Sequence, residues 1–361
     1  MKKSLLALAV LGAFAGVANA QTNVTVYGIV DAGVAYDNGA SAAGKTWKLQ
    51  SGQQSGSRLG FKGTEDLGGG LSAIFTLENG FTVDDGQAST SLGGRLFGRQ
   101  AWVGLKGSFG EVKLGRQQTP LYYAVAAVDP FGIGLAGNAQ RAFGYGMYGQ
   151  DPLARTDNTI SYAISNSGFN AGLNYSFGEQ AGDNNKNRNI GVALGYANGP
   201  LNVQFAYQKS NNATLLPNGT ASAQFLDLTG VDGLNTTTAE TLKAAFIGAT
   251  YDFGVAKAHA AYADNKLEVT GGEVKNRDLM LGVSAPVGAA GTVMASWIRN
   301  DFKSSDDKSN QYAIGYTHNL SKRTNLYTSF AYTKNDAGVL LNSAEAGTSD
   351  RLLNVGVRHA F

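Results

Sequence analysis

Three histidines, His259, His318 and His359, are the side chains of this chain best suited to moving protons at neutral pH. None has a partner pattern around it. Each lies in or near an alternating segment with no Ser or Asp signature beside it. Nucleophilic catalysis needs a nucleophile, a base and an orienting group within reach. No G-x-S-x-G or H-E-x-x-H occurs. The chain has no cysteine, so it has no thiolate nucleophile, no disulfide framework and no Cys-ligated zinc. The sequence therefore predicts no catalytic residue, no metal site and no cofactor.

The charges are few and balanced: 29 Lys and Arg against 27 Asp and Glu, a formal +2. That argues against nucleic acid as a partner. Hydrophobic residues are 43% of the chain, which with so small a net charge argues against disorder. The 49 glycines do not recur every third residue and come with only 6 prolines, so a collagen-like chain is also excluded.

Residues 1–20 read as a secretory leader. Lys2 and Lys3 form a basic start, Leu5 to Val17 an apolar run, and Ala18-Asn19-Ala20 a small-x-small cleavage site. Cleavage after Ala20 leaves residues 21–361 as a single domain. It also removes two lysines, so the mature chain carries 27 acidic groups against the same number of basic ones and is formally neutral.

The body of the chain is written in period two. Phe169, Ala171, Leu173, Tyr175 and Phe177 alternate with Asn170, Gly172, Asn174 and Ser176. Leu201, Val203, Phe205 and Tyr207 alternate with Asn202, Gln204, Ala206 and Gln208. The same alternation runs through Ile190–Tyr196, Tyr312–Tyr316 and Leu353–Val357. Successive side chains of a strand point to opposite faces, so each segment has one apolar face and one polar or small face. Leu279 to Ile298 lacks charge over twenty residues, yet Pro286 and its glycines break it into two strands joined by a turn at 286–291. Sixteen such segments are predicted, the first at 24–36, the second at 46–66 and the last at 350–361. Only a short piece near 119–127 has helical character.

Short connectors such as 67–69, 107–109, 166–168 and 287–290 alternate with long polar ones such as 84–96, 118–156, 211–240 and 336–349. Tight turns at one end and long loops at the other mark an outer-membrane barrel. Sixteen strands enclose an interior too wide for side chains to fill, so the apolar face must point out to lipid and the polar face in to water. Phe169 to Phe177 covers roughly 20 Å of height at a tilt of ~40°, close to the ~25 Å apolar band of such barrels. Closure also leaves no unpaired backbone edge in lipid. The expected fold is all-β, a 16-stranded antiparallel transmembrane β-barrel with an inward-folded third loop.

Six stretches resemble a known family: VTVYGIVDAGV at 24–34, SRLGFKGTEDLGGGL at 57–71, FGRQAWVGLKGSFGEVKLGRQQTP at 97–120, DPFG at 129–132, RTDNTISY at 155–162 and GVRHAF at 356–361. In this order they are similar to the general trimeric porins of Gram-negative bacteria, of the neisserial and burkholderia type. The resemblance implies a homotrimer in the bacterial outer membrane, bedded in lipid and lipopolysaccharide, that passes small hydrophilic solutes and ions. It implies that the terminal Phe361 is read by the outer-membrane assembly machinery. Trp102 and Gly104 are candidates for the trimer interface.

The connector 118–156 is far longer than a hairpin needs, and it is rich in Leu, Tyr and Phe, so it needs a surface to pack on. The resemblance implies that it folds inward as the constriction loop, with its tip at Asp129-Pro130-Phe131-Gly132. It further implies that Arg58, Arg99 and Arg116 point inward across the gap, with Arg155 as a fourth member and Asp129 as the acid opposite. Residues 117–156 hold two acids, Asp129 and Asp151, and two bases, Arg141 and Arg155. Arg58 and Arg99 then tip the constriction positive, which predicts a modest anion preference, blunted by salt screening over ~8–10 Å. The alternative function is a substrate-specific outer-membrane channel for small anionic solutes. Loop charges such as Asp183, Lys186, Asp306 and Lys308 are expected to form a solvated face at the lipopolysaccharide level.

Overall fold

The computed structural model describes residues 23–89, 92–143, 151–211, 240–269, 272–303 and 305–361. The expected leader, residues 1–20, lies outside them. The strands are β1 (Asn23–Asn38), β2 (Thr46–Ser51), β3 (Arg58–Gly68), β4 (Leu71–Gly80), β5 (Gln100–Gly107), β6 (Gly110–Gln118), β7 (Arg155–Asn166), β8 (Phe169–Ser176) and β9 (Asn189–Asn198). They continue as β10 (Leu201–Asn211), β11 (Thr241–Asp252), β12 (Lys257–Val269), β13 (Gly272–Val287), β14 (Gly291–Phe302), β15 (Lys308–Asn319), β16 (Thr324–Asn335) and β17 (Ser349–Ala360). Three short helices lie between β6 and β7: α1 (Pro120–Ala126), α2 (Ala139–Ala142) and α3 (Asp151–Ala154).

Every neighbouring pair is antiparallel, and β1 closes on β17 from Ile29↔Ala360 to Asn38↔Arg351. β2 and β3 both pair with β1, end to end, and make one wall position between them. The result is the expected closed barrel of sixteen antiparallel strands. The stretch from Leu279 to Ile298 is the β13–β14 hairpin, as its glycines and proline require.

The alternation is inverted relative to a water-soluble sheet. Leu173, Leu194, Phe205, Ile247, Ile314 and Val355 are exposed on the outer face. Asn174, Gln204, Gln208, Asn300, Gln311 and Asn354 are buried inside. An apolar exterior around a polar interior is the arrangement that lipid imposes on a barrel.

The predicted second strand is not continuous. Residues 52–57 leave the wall at Gly52, whose φ of +70° suits a glycine, and fold inward. Asp31 holds this segment: its Oδ2 accepts N–H bonds from Gln54 at 3.0 Å and Ser55 at 2.7 Å. Its Oδ1 accepts the Tyr327 hydroxyl at 2.7 Å. Period-two patterning carries no signal for this excursion, because it is made by glycines and serines rather than by a change of hydrophobic face.

Candidate pore constriction

The loop between β6 and β7 enters the interior through α1. Thr119 caps that helix, its Oγ1 accepting the Tyr122 N–H at 3.1 Å, and Pro120 occupies the first turn, where no N–H bond is needed. Leu121, Ala124 and Val125 are the buried face of α1 and pack in one cluster with Ala193 and Ala206 of β9 and β10. Small inward residues on those strands make room for the helix.

Beyond α1 the loop follows the inner wall. Asn202 donates Nδ2–H to the Ala127 carbonyl at 3.1 Å. His259 places Nδ1 2.6 Å from the Val128 carbonyl and Nε2 2.9 Å from Ser284 Oγ, so this histidine anchors the loop. Pro130 and Phe131 lie against bare glycines of β13 and β15: a Cβ on Gly282 would stand 2.8 Å from Pro130 Cγ, and one on Gly315 2.8 Å from Phe131 Cε1. The Leu135 N–H reaches the Gln53 carbonyl at 2.6 Å, and the Ala136 N–H reaches Ser329 Oγ at 2.9 Å. The expected inward loop therefore spans the interior from β9 round to the β2–β3 break. Its residues 144–150 lie outside the described residues, as do the side chains of Arg141 and Asp151.

Opposite the loop stand the arginines. Arg58 and Arg99, with Arg155 at the loop's return to the wall, line one cavity of about 470 Å³. Tyr122, Asn138 and Gln140 of the loop line it from the other side. Arg99 Nε donates to Glu78 Oε1 at 2.7 Å, and Arg58 Nη1 lies 3.9 Å from the same oxygen. Tyr27 donates its hydroxyl to Glu78 Oε2 at 2.8 Å. Arg155 donates Nε–H to the Arg99 carbonyl at 3.1 Å and sits 5.7 Å above the Tyr122 ring. Three guanidinium groups at this gap outnumber the nearby carboxylates Asp37 and Glu78, and Lys48, 3.1 Å from Asp37, offsets that one.

Two expected members stand elsewhere. Asp129 is not the acid facing the arginines. Its Oδ1 accepts the Phe131 N–H at 3.0 Å, and its Oδ2 those of Ile133 at 2.9 Å and Ala139 at 3.0 Å. Burial pushes its carboxyl up to about 6 against the pull of those N–H groups. The bonds fold the loop tip, where Gly132, Ile133 and Leu135 take φ of 58°, 59° and 60°. Arg116 is not among the residues lining the cavity. A register shift between Gly115 and Gln117 moves it off the regular pleat. Its Nε bonds the Gly98 carbonyl at 2.7 Å and its Nη1 bonds Asp157 at 2.8 Å, with Arg95 2.9 Å from the same carboxylate.

The acid beside the arginines is Glu78. It falls on the inward parity of β4 with Ile74 and Thr76, and Gly60 of β3 is its cross-strand partner, two residues from Arg58. That parity was the signal available in the sequence. Arg358 is a further inward base, donating Nε–H to Ser55 Oγ at 3.0 Å. Trp102 is also relocated: it pairs with Thr76 and Gly115 and faces the interior, so it is not an outer-surface residue. Phe361 exchanges backbone bonds of 3.1 Å with Gly28 in both directions and so completes the β1–β17 seam.

The chain matches the Gram-negative porin family over residues 7–338. It is 41% identical to outer membrane porin protein 32 of Delftia acidovorans across the whole of both chains. It is 36% identical to an outer membrane porin protein of Bordetella pertussis, again over both full lengths. Among solved structures, an anion-selective porin from Comamonas acidovorans superposes with a TM-score of 0.79 at 36% identity, covering 94% of this chain and all of that one. This chain is a closed barrel, apolar outside and polar inside, with a loop folded across its interior, and it belongs to the Gram-negative porin family as an outer-membrane channel for passive diffusion.

Proposed function

We propose that this porin prefers anions, and that Arg58, Arg99 and Arg155 facing the third loop set the preference. The observation that carries the reading is the shared cavity: three arginines on one side, uncharged Tyr122, Asn138 and Gln140 on the other. In a narrow aqueous gap between low-dielectric walls, a fixed surplus of one sign raises the local concentration of the opposite ion. The resemblance to an anion-selective porin at 36% identity supports the same reading. Reversal potentials of the purified protein in a KCl gradient test it. Chloride selectivity that fades as salt rises is expected, and a cation-selective channel overturns it.

The rest of the proposal concerns assembly. Residues 1–20 are a leader removed on export, residues 21–361 form one barrel domain and 118–156 its constriction loop. The working unit is a homotrimer within lipopolysaccharide, and Phe361 is a recognition signal for the assembly machinery. The protein catalyses no reaction. His259, which is committed to the loop carbonyl of Val128, supports that reading.

A further inference from the structure

A second and larger cavity, about 1030 Å³, lies between α1 and the tight turns at Gly107–Gly110 and near Asn166. It is separate from the arginine cavity, and α1 divides the two. Tyr122 lines the arginine side, while its neighbour Tyr123 lines this one and is 52% exposed. Trp102 enters the same cavity from β5. Two aromatic side chains turned inward depart from the strand pattern, in which Phe169, Phe205, Tyr312 and Phe330 face outward.

The charges around these rings are basic. Lys113 Nζ stands 4.8 Å from the centre of the Trp102 ring. It crosses Gly104 to get there: a Cβ on that glycine would lie 3.2 Å from Lys113 Cγ. Glu111 contacts Lys113 and offsets one positive charge. Lys106 makes no ion pair among the described residues and lines the same space. The Trp102 indole donates to Gln100 Oε1 at 3.0 Å, which fixes its orientation. Pro120 and Ala124 of α1 supply an apolar floor.

From this geometry we infer that the cavity is a binding subsite for flat aromatic carboxylates, with Trp102 and Tyr123 taking the ring and Lys106 and Lys113 the carboxylate. Concave sites of this volume, mostly apolar with a few converging polar groups, hold small organic ligands. A ring between aromatic side chains gains over an alicyclic one of equal size because offset stacking needs two π faces. The subsite goes beyond the anion preference, since a fixed charge alone does not distinguish two carboxylates of equal charge.

Benzoate and cyclohexanecarboxylate have the same carbon count and the same charge at neutral pH, and they make the test. Each is added to the short-turn side of the reconstituted channel while chloride current is recorded. Benzoate is expected to block saturably at a concentration about threefold to tenfold lower than cyclohexanecarboxylate. Trp102→Leu should bring the two half-blocking concentrations together, and Arg58→Ser should leave their ratio unchanged while shifting the reversal potential. A double variant Trp47→Phe, Trp297→Phe leaves Trp102 as the sole tryptophan, and its emission should change saturably with benzoate over the same range. Equal half-blocking concentrations in the wild type, or a ratio untouched by Trp102→Leu, overturn the subsite. A wild-type channel that keeps this ratio yet shows no anion selectivity would instead count against the arginine reading alone.

Discussion

Arg99 and Glu78 form a pair at 2.7 Å in which the arginine side chain is 9% exposed and the carboxylate 4%. Arg99 lines the cavity and Glu78 stands behind it, so part of the positive charge at the constriction is already neutralised by an acid on the neighbouring strand. Glu78→Gln keeps an oxygen that can accept the Arg99 N–H and removes the charge. A unit charge about 4 Å from an ion in water is worth ~1 kcal/mol, close to a fivefold change in partition. The variant should move the reversal potential further toward chloride, with a ratio change of up to about fivefold at low salt. An unchanged reversal potential would show that Glu78 does not reach the permeating ion.

Arg58 is the more accessible member, with its side chain 21% exposed and Glu78 at 3.9 Å. It lines the cavity facing Asn138 and Gln140 of the loop. Arg58→Ser should move selectivity toward cations by a similar factor and widen the gap, so single-channel conductance should rise. The effect should shrink as salt is raised, because a Debye length of ~10 Å at 0.1 M falls to ~3 Å at 1 M. A salt-independent change would point to altered pore width rather than charge.

Much of the fold is written in the alternation of strands such as Phe169–Ser176 and Leu201–Asn211, because a barrel wall repeats one physical requirement in every strand. Arg58, Arg99 and Arg155 were legible through their flanking motifs. Glu78 was missed because a lone acid on an inward parity looks like any solvated residue until Arg58 and Arg99 are brought beside it. Asp129 is set opposite the arginines only by the family resemblance, and the short D-P-F-G-I turn spends both of its oxygens on the loop's own N–H groups. The break at Gly52–Ser57 has no local signal, since Asp31, which holds it, lies 23 residues before Gln54 and Tyr327 lies across the seam.

Asp129 predicts a loop effect without a selectivity effect. Asp129→Ala leaves the N–H groups of Phe131, Ile133 and Ala139 without their acceptor. Each buried donor left unpaired costs about 1–3 kcal/mol. Ile133 and Leu135, held at left-handed φ, lose the contacts that keep them there. Current fluctuations should increase while the reversal potential stays within a few millivolts of the wild type, as an order-of-magnitude bound for a charge outside the gap. The pH dependence has a definite sign. The folded loop raises the Asp129 carboxyl from 3.8 to about 6, so protonation favours the folded loop. Stability from this group is fully present below pH 3.8 and is lost as pH rises through about 6. Wild-type fluctuations should therefore be smaller at pH 4 than at pH 7, roughly the two sides of that window, and Asp129→Ala should remove the difference. Equal pH dependence in both proteins would assign it to another group.

The barrel seam gives the last prediction. Gly28 and Phe361 exchange two backbone bonds of 3.1 Å, and the Phe361 ring lies over the glycine. A Cβ on Gly28 would stand 2.3 Å from Phe361 Cζ and 2.7 Å from the Arg58 carbonyl oxygen. The ring can swing away, but the carbonyl belongs to the wall, so Gly28→Ala must strain the backbone as well as displace the aromatic. Overpacking of this kind costs about 1–3 kcal/mol. Phe361→Ala removes the ring and keeps the backbone pairing. If the ring matters to the folded seam, both variants should lower the temperature at which the detergent-solubilised barrel loses its compact form, with Gly28→Ala the more affected. If Phe361 acts as an assembly signal, Phe361→Ala should reduce the amount reaching the membrane by far more than Gly28→Ala does, whatever their order in thermal stability. Comparing yield in the membrane with melting of the protein that arrives there separates the two roles.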